Sequence, residues 1–367
     1  MVLQLLNRNL ENLKMGKGLK DWKVIAGLCI AAACLFFAFK DVDMARMWAA
    51  FKDARYIYFI PAVAILFLSH FLRAWRWQLL LAPIAHVSRN TLFTSLLIGY
   101  MANTFLPAHL GEFIRAYLVG KKSPVHGSAV FATIVIERII DVFTLLILMA
   151  VTIIVFPFPA WVRKSGYISF AFIGLLLIIL VLMKKHRART AAILNGVLKP
   201  LPAAFRRKIN ELFLSFLDGV VGLQKGWHYL AVTLLSLLIW ACYAYIFQLG
   251  LSAFHFIETY SEITWVTPLV LLVITTIAVL VPSSPGYIGT YHWLCQISLG
   301  LFGVPESDAL SFAFAVHAVN FVPILVVGLI LVAVMGMNLK KIQNEAQKEA
   351  VEIEGEFTSS ESANSLK

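Results

Sequence analysis

The chain has 367 residues; 60% are hydrophobic and only 14% charged. Soluble domains run near half apolar and a quarter charged, so this composition excludes a soluble globular protein and points to an all-α polytopic membrane protein. The formal net charge of +11 is read as cationic cytoplasmic loops facing anionic lipid, and no nucleic-acid partner is expected. Cys29, Cys34, Cys242 and Cys295 all stand in apolar runs without metal-ligand spacing. They read as small packing residues, and neither a disulfide framework, a metal nor a cofactor is expected.

Residues 1–23 are basic and mildly amphipathic, a cytoplasmic surface segment ahead of a first retained span, Val24–Phe39. A charged loop with both signs is expected over 40–55. The second span, Tyr56–Leu81, ends in Arg73-Ala-Trp75-Arg76-Trp77, a pattern of aromatics and cations typical of a membrane interface. Thr91–Leu106 is apolar but shorter than the roughly 20 residues a crossing needs, and a second short segment, Glu112–Val119, follows it. Ser128–Phe156 and Gly166–Met183 read as spans. The stretch 184–226 is the most basic of the chain and is placed inside the cell. Trp227–Phe254 is another span, and His255–Thr264, which has no Lys or Arg, faces outside. Trp265–Val281 is short again, Gly286–Phe302 returns, and Ala309–Met335 is the last span. Residues 341–367 read as a disordered acidic and Ser-rich cytoplasmic tail.

The expected architecture is thus about six full transmembrane helices plus two re-entrant helical hairpins within a membrane domain over 24–340, in the cytoplasmic (cell inner) membrane with both termini cytoplasmic. The first hairpin opens from the cytoplasm and the second from outside, so units 56–156 and 228–336 have opposite orientation. That is an inverted repeat, the arrangement of many secondary transporters, with the site where broken segments meet near the midplane.

The two breaks concentrate the chemistry. Asn103, Pro107, His109, Gly111, Glu112 and Arg115 crowd the first; Ser283, Ser284, Pro285, Gly286 and Thr290 crowd the second. Both carry Pro-x-x-x-Gly, at 107/111 and 282/286. Ionisable groups at membrane depth are costly, and irregular backbone there is tolerated where it lines a cavity. Helices starting at Glu112 and Tyr287 would offer exposed N–H groups to an anion, with hydroxyls of Ser283, Ser284 and Thr290 as further donors. Two roles fit Ser283 and Ser284, helix capping and ligand binding. Two also fit Glu112 and Arg115: an internal pair at i,i+3, or a ligand role in which Arg115 holds a phosphate. Glu137 and Asp141 share one helix face with Arg138 beside them, either as an internal cluster with Arg115 or Arg76 or along a polar path. Their nearness to the start of the span favours a structural role. His109 and His317 are candidate protonatable groups or hydrogen-bonded core residues, and Asn103 and Asn320 suit interhelical hydrogen bonds. Without a phosphate-binding loop, metal spacing or an extramembrane catalytic domain, an enzyme is not expected.

Asn103-x-x-Leu106-Pro107-x-x-x-Gly111-Glu112-x-x-Arg115, then Glu137-Arg138-x-x-Asp141, then Pro282-x-x-Pro285-Gly286-x-x-Gly289-Thr290 resemble the membrane region of lysylphosphatidylglycerol synthases, the flippase-like integral membrane family. The resemblance covers roughly residues 20–340. It implies an all-helical membrane domain that moves lipid between leaflets, here in a stand-alone form without the soluble aminoacyl-transferase domain, so synthesis of an aminoacyl lipid is not expected. The partner implied is a membrane lipid with an anionic head group, a phospholipid or a polyprenyl-phosphate-linked lipid. The phosphate is expected near Arg115, Ser283, Ser284 and Gly286, with Glu112, Glu137, Asp141 and His317 as balancing or proton-coupling groups. Two alternatives are a non-transporting subunit that presents lipid to a lipid-modifying or glycosyltransferase enzyme docked at 184–226, and a small-solute channel.

Overall fold

The computed structural model describes residues 22–105, 110–123, 125, 127–156, 226–280 and 285–337, with isolated positions at 175, 182, 186, 189, 190, 192, 196 and 344. Nearly all of the expected span Gly166–Met183, of the 184–226 linker and of the 341–367 tail, together with Pro107, His109, Ser283 and Ser284, therefore lie outside the described residues.

Every regular element among the described residues is helical. Helix α1 is Trp22–Phe39 and α2 is Met44–Asp53. A 3-10 turn at Tyr56–Tyr58 leads into α3, Phe59–Leu81. Then come α4 (Arg89–Phe105), α5 (Gly111–Lys122) and α6 (Gly127–Val155). A second series follows: α7 (Gly226–Ala253), the short α8 (Phe256–Thr259), α9 (Thr267–Leu280), a 3-10 turn at Pro285–Tyr287, α10 (Thr290–Gly300) and α11 (Glu306–Val334). Among the described residues, four stretches, Tyr56–Leu81, Ala129–Val155, Gly226–Ala253 and Glu306–Val334, are long and apolar enough to cross a membrane. The protein is an integral multi-pass membrane protein. By contrast α4, α5, α9 and α10 have 17, 12, 14 and 11 residues. At about 1.5 Å per residue each falls short of a hydrocarbon layer roughly 30 Å thick.

The packing follows the same order twice. In each series the two short helices lie against one another, α4 on α5 and α9 on α10. Each series also lends its first short helix to the other's closing helix, α4 to α11 and α9 to α6. The two opening helices, α3 and α7, share the most extensive interface, where Ala62 and Leu66 meet Ile246 and Leu249. The close approach of α4 and α5 depends on glycine: a Cβ on Gly111 would fall on the Gly99 carbonyl.

Two expectations are corrected. Residues 40–55 are not a plain loop. Asp43 caps α2 by accepting from the Ala45 and Arg46 amides at 2.8 and 3.2 Å, which satisfies otherwise orphaned donors. Arg46 then forks onto Asp308 of α11, Nε to Oδ1 at 3.1 Å and Nη2 to Oδ2 at 2.8 Å. Tyr260 donates to the same carboxylate at 2.8 Å, and burial together with that bond pushes its phenol up to about 12. The docking partner lies some 260 residues away, so no local pattern announced it. The second correction concerns the helix after the second break, which begins at Thr290 rather than near Gly286. Gly286, Tyr287 and Gly289 have φ of +66°, +57° and +96°, left-handed values through which a right-handed helix cannot run. Gly289 also admits the α1 backbone, since a Cβ there would stand 2.5 Å from the Ala31 carbonyl oxygen.

Candidate functional site

The site is built on four helices that bring arginines and carboxylates together. Arg73 and Arg76, three residues apart, share one face of α3, and Glu137 and Asp141, four apart, share one face of α6. The faces meet. Arg73 Nη1 donates to Asp141 Oδ2 at 2.7 Å and to Glu137 Oε1 at 3.3 Å. Arg76 Nη2 donates to Asp141 Oδ1 at 2.7 Å. From α5, Arg115 Nη2 reaches Glu137 Oε2 at 2.7 Å, and its guanidinium lies 4.2 Å over the Trp77 ring. Arg138 lies beside Glu137 and 3.3 Å from Glu112 Oε1, and it donates to the Tyr100 hydroxyl at 3.1 Å. Helix α7 supplies two further acceptors: Tyr243 Oη takes Arg73 Nε at 2.8 Å and Ser236 Oγ takes Arg76 Nη1 at 2.9 Å; Arg76 Nε and Arg115 Nε and Nη1 have no hydrogen-bond partner among the described residues.

Glu137 and Arg76 are fully buried, and Arg115, Arg73 and Asp141 nearly so. Ions withdrawn from water are tolerable only when paired with good geometry. The pairing is dense but not neutral: four guanidinium groups meet three carboxylates, Glu112, Glu137 and Asp141. One formal positive charge is left over. Arg138, whose side chain is 36% exposed, is the most accessible of the four arginines.

The cluster borders a cavity of about 440 Å³, within the usual range for small-molecule and headgroup sites. All four helices of the first series and α7, α9, α10 and α11 of the second contribute to its wall, as does Tyr287 of the second break. The tips of the two broken segments touch: a Cβ at Gly286 would stand 3.6 Å from Thr104 Cγ2. Asp141 lies about 21 Å from either end of its helix, at its centre rather than near its start.

The residues singled out from sequence separate into layers. Asn103, Glu112, Arg138 and Asp141 line the cavity. Asn103 Oδ1 also accepts the Gly111 amide at 2.8 Å, satisfying the first N–H of α5. Glu137 and Arg115 stand behind the wall and hold it, and Glu112 and Arg115 pair with different partners rather than with each other. His317 Nε2 donates to the Gly286 carbonyl at 2.8 Å and stacks on Phe321, tying α11 to the second break. Thr290 opens α10, its hydroxyl donating to the Tyr287 carbonyl at 3.3 Å.

The wall also holds His70, Tyr100, Trp240, Tyr243 and Tyr291, which no sequence motif marks, and Arg73. In sequence the Arg73–Trp77 run reads as interfacial, with Arg76 also open as a partner of the Glu137–Asp141 cluster, and the cluster is where Arg76 lies. Only Trp75 of that group is exposed; Arg73, Arg76 and Trp77 turn inward, and Trp77 Nε1 donates to Thr133 Oγ1 at 2.9 Å. The signal available was spacing: two arginines three apart on one helix match two carboxylates four apart on another.

Comparison with known proteins bears on what this cavity serves. The family model for the lysylphosphatidylglycerol synthase transmembrane region matches residues 24–328. The chain belongs to that family. The match takes in the whole wall of the cavity. A relative within curated sequences, a UPF0104 membrane protein from Methanothermobacter thermautotrophicus, is 22% identical over 333 residues, covering 87% of this chain and 96% of the relative. A shorter match joins 36% of the chain to 21% of glycosyltransferase AglD from Haloferax volcanii, at 24% identity over 132 residues.

Proposed function

We propose that this protein moves a lipid with an anionic head group, a phospholipid or a polyprenyl-phosphate-linked lipid, between the leaflets of the cytoplasmic membrane, and that it does so without catalysing a covalent step. The observation that carries this is the surplus positive charge of the arginine cluster, set against a cavity shared by both helical series at the point where their broken segments touch. An anion entering there completes the charge balance of groups already held in place, so little reorganisation opposes it. The head group is held by Arg138 and Arg73, which border the cavity, while Arg115 supports the carboxylates behind them.

The scaffold suited to this is an inverted repeat of α3–α6 and α7–α11 with re-entrant hairpins α4–α5 and α9–α10. One correspondence favours it in detail. Arg138 and Asp141 are the twelfth and fifteenth residues of α6, and His317 and Asn320 are the twelfth and fifteenth of α11. Asp141 and Asn320 both reach the cavity. Alternating exposure of one central site by two such units is the general mode of secondary transport. Both termini would lie in the cytoplasm.

The test is reconstitution of the full chain in liposomes with a leaflet-selective assay of labelled anionic lipids. Movement above protein-free vesicles is expected; no movement across several anionic lipids would sink the transport claim. A second reading, presentation of lipid to a partner enzyme at the basic 184–226 segment, is favoured by the partial similarity to a glycosyltransferase. In that case lipid binds and does not cross.

A further inference from the structure

Among the described residues, the charges around the cavity come from one side. Helices α3 to α6 bring Arg73, Glu112, Arg138 and Asp141 to its wall. Helices α7 to α11 and the 285–287 turn bring no Lys, Arg, Asp or Glu. Their polar contribution is a set of neutral groups: the Trp240 indole, the Tyr243, Tyr287 and Tyr291 phenols, Thr275 and Asn320. The Trp240 Nε1 and Tyr291 Oη atoms are buried and have no hydrogen-bond partner among the described residues, and both ring nitrogens of His70, on the opposite wall, share that condition. Buried polar groups left unpaired in this way are costly. The Thr275 hydroxyl and the Asn320 amide nitrogen donate into their own helices at 2.6 and 2.9 Å, which leaves their oxygens as acceptors.

Resting on the proposal that this cavity holds a lipid head group, we infer that its ligand is a phosphodiester lipid whose head group beyond the phosphate is uncharged and hydroxylated, a polyol or a sugar. Arg73, Arg138, Glu112 and Asp141 on the wall balance one another, but with Arg76, Arg115 and Glu137 directly behind them the cluster has a surplus of one positive charge. A phosphodiester carries one negative charge and neutralises it. A phosphomonoester carries close to two at neutral pH, and its second charge faces Glu112, Glu137 and Asp141 with no further cation to meet it. An amine-bearing head group fails for the opposite reason, because every carboxylate of the cluster is already paired with arginine and the local field is positive. The neutral wall takes the rest of the head group. Hydroxyls both donate and accept, so they satisfy indole and phenol donors and threonine and amide oxygens together. Aromatic faces of Trp240 and Tyr243 pack against the apolar C–H surface of a polyol or sugar ring. Two sources present this chemistry, a glycerophospholipid with a glycerol head group and a polyprenyl phosphosugar.

The full chain in detergent, mixed with lipids of matched chains, separates these cases by native mass spectrometry and by lipid-dependent rise in melting temperature. Phosphatidylglycerol or a polyprenyl phosphohexose should bind roughly tenfold tighter than phosphatidic acid or phosphatidylethanolamine. Whichever of the two binds tighter identifies the source. Phosphatidylmethanol, a phosphodiester without hydroxyls, should bind between these groups. Tyr291→Phe, which keeps the ring and removes only the hydroxyl, and Trp240→Phe, which removes the indole N–H together with its five-membered ring, should each narrow the ratio between phosphatidylglycerol or phosphohexose and phosphatidylmethanol by about fivefold. Equal binding of phosphatidic acid or phosphatidylethanolamine, or ratios unchanged in both variants, overturns the inference. Because the readout is binding, it stands apart from transport. Selective binding without movement in liposomes would remove the translocation claim and leave the head-group assignment. Movement without selectivity would do the reverse.

Discussion

The two helical series have the same order of long, short, short and long helices, and they meet around one cavity, yet they bring different chemistry to it. The first series, α3–α6, buries three arginines and two carboxylates, with Arg138 and Glu112 at the cavity rim. The second, α7–α11, supplies phenols, an indole, hydroxyls and an amide. At matching positions of the two closing helices, Arg138 and Asp141 stand where His317 and Asn320 stand in the other. The two series thus share an order of helices and not the chemistry they turn to the cavity. The neutral half also gives the charged half acceptors, Tyr243 for Arg73 and Ser236 for Arg76.

That contrast can be broken most sharply at Glu137. Glu137→Gln leaves Arg115, Arg73 and Arg138 around a neutral amide, and removing one partner of a buried ion pair costs about 3–5 kcal/mol. A large drop in melting temperature or loss of folded yield is expected. Thr275→Val on the neutral wall should cost only about 1 kcal/mol. Comparable losses in the two variants would mean that the charge cluster is not what holds the first series together. Next in size, Gly111→Ala and Gly289→Ala should each cost about 1–3 kcal/mol by forcing apart α4 and α5, or α10 and α1, measured as reduced thermal stability. Gly300→Ala meets no atom within 4 Å and keeps an ordinary helical site, so it should be neutral or slightly stabilising.

Arg138→Gln cancels the surplus charge at the most accessible arginine. Affinity for anionic lipid should fall roughly tenfold with a smaller loss of stability than at Glu137, read by lipid-dependent melting shifts. Unchanged affinity would move the anion away from α6. The smallest effect is expected outside the cavity. Tyr260 has its phenol raised to about 12 by burial and by its bond to Asp308. A raised folded-state value means that the neutral phenol is favoured in the fold. The contribution is complete below the ordinary tyrosine value near 10 and is lost as pH rises through about 12. Melting temperature should decline slightly more over that window in the native chain than in Tyr260→Phe.

Hydropathy and breakers were enough to locate the long and short helices of both series to within a few residues, since apolar length and Pro/Gly interruptions act locally. The grouping of Glu137 with Asp141 followed from helical spacing, and the two-fold Pro-x-x-x-Gly pattern pointed to the region where the broken segments meet. Local pattern failed where the deciding contact is distant in sequence. Arg73 sits among tryptophans near the end of a span and reads as an interface residue, while Arg76 reads both ways, as an interface residue or as a partner of the Glu137–Asp141 cluster; both face inward because α6, more than sixty residues on, presents carboxylates to them. Residues 40–55 read as a loop because the side chain that anchors Arg46 belongs to α11. The start of α10 was misplaced because left-handed backbone at Tyr287 is not a property of tyrosine and is imposed by the turn around it.

By itself, then, the chain's apolar periodicity determined a helical membrane protein with two broken segments, because burying backbone polar groups in lipid leaves few alternatives to helix. Which charges face one another, and that they sum to one positive charge beside a neutral wall, was decided only when the two series packed together. Coulomb interactions and hydrogen bonds depend on separations of a few ångströms, and those separations are made by tertiary contact.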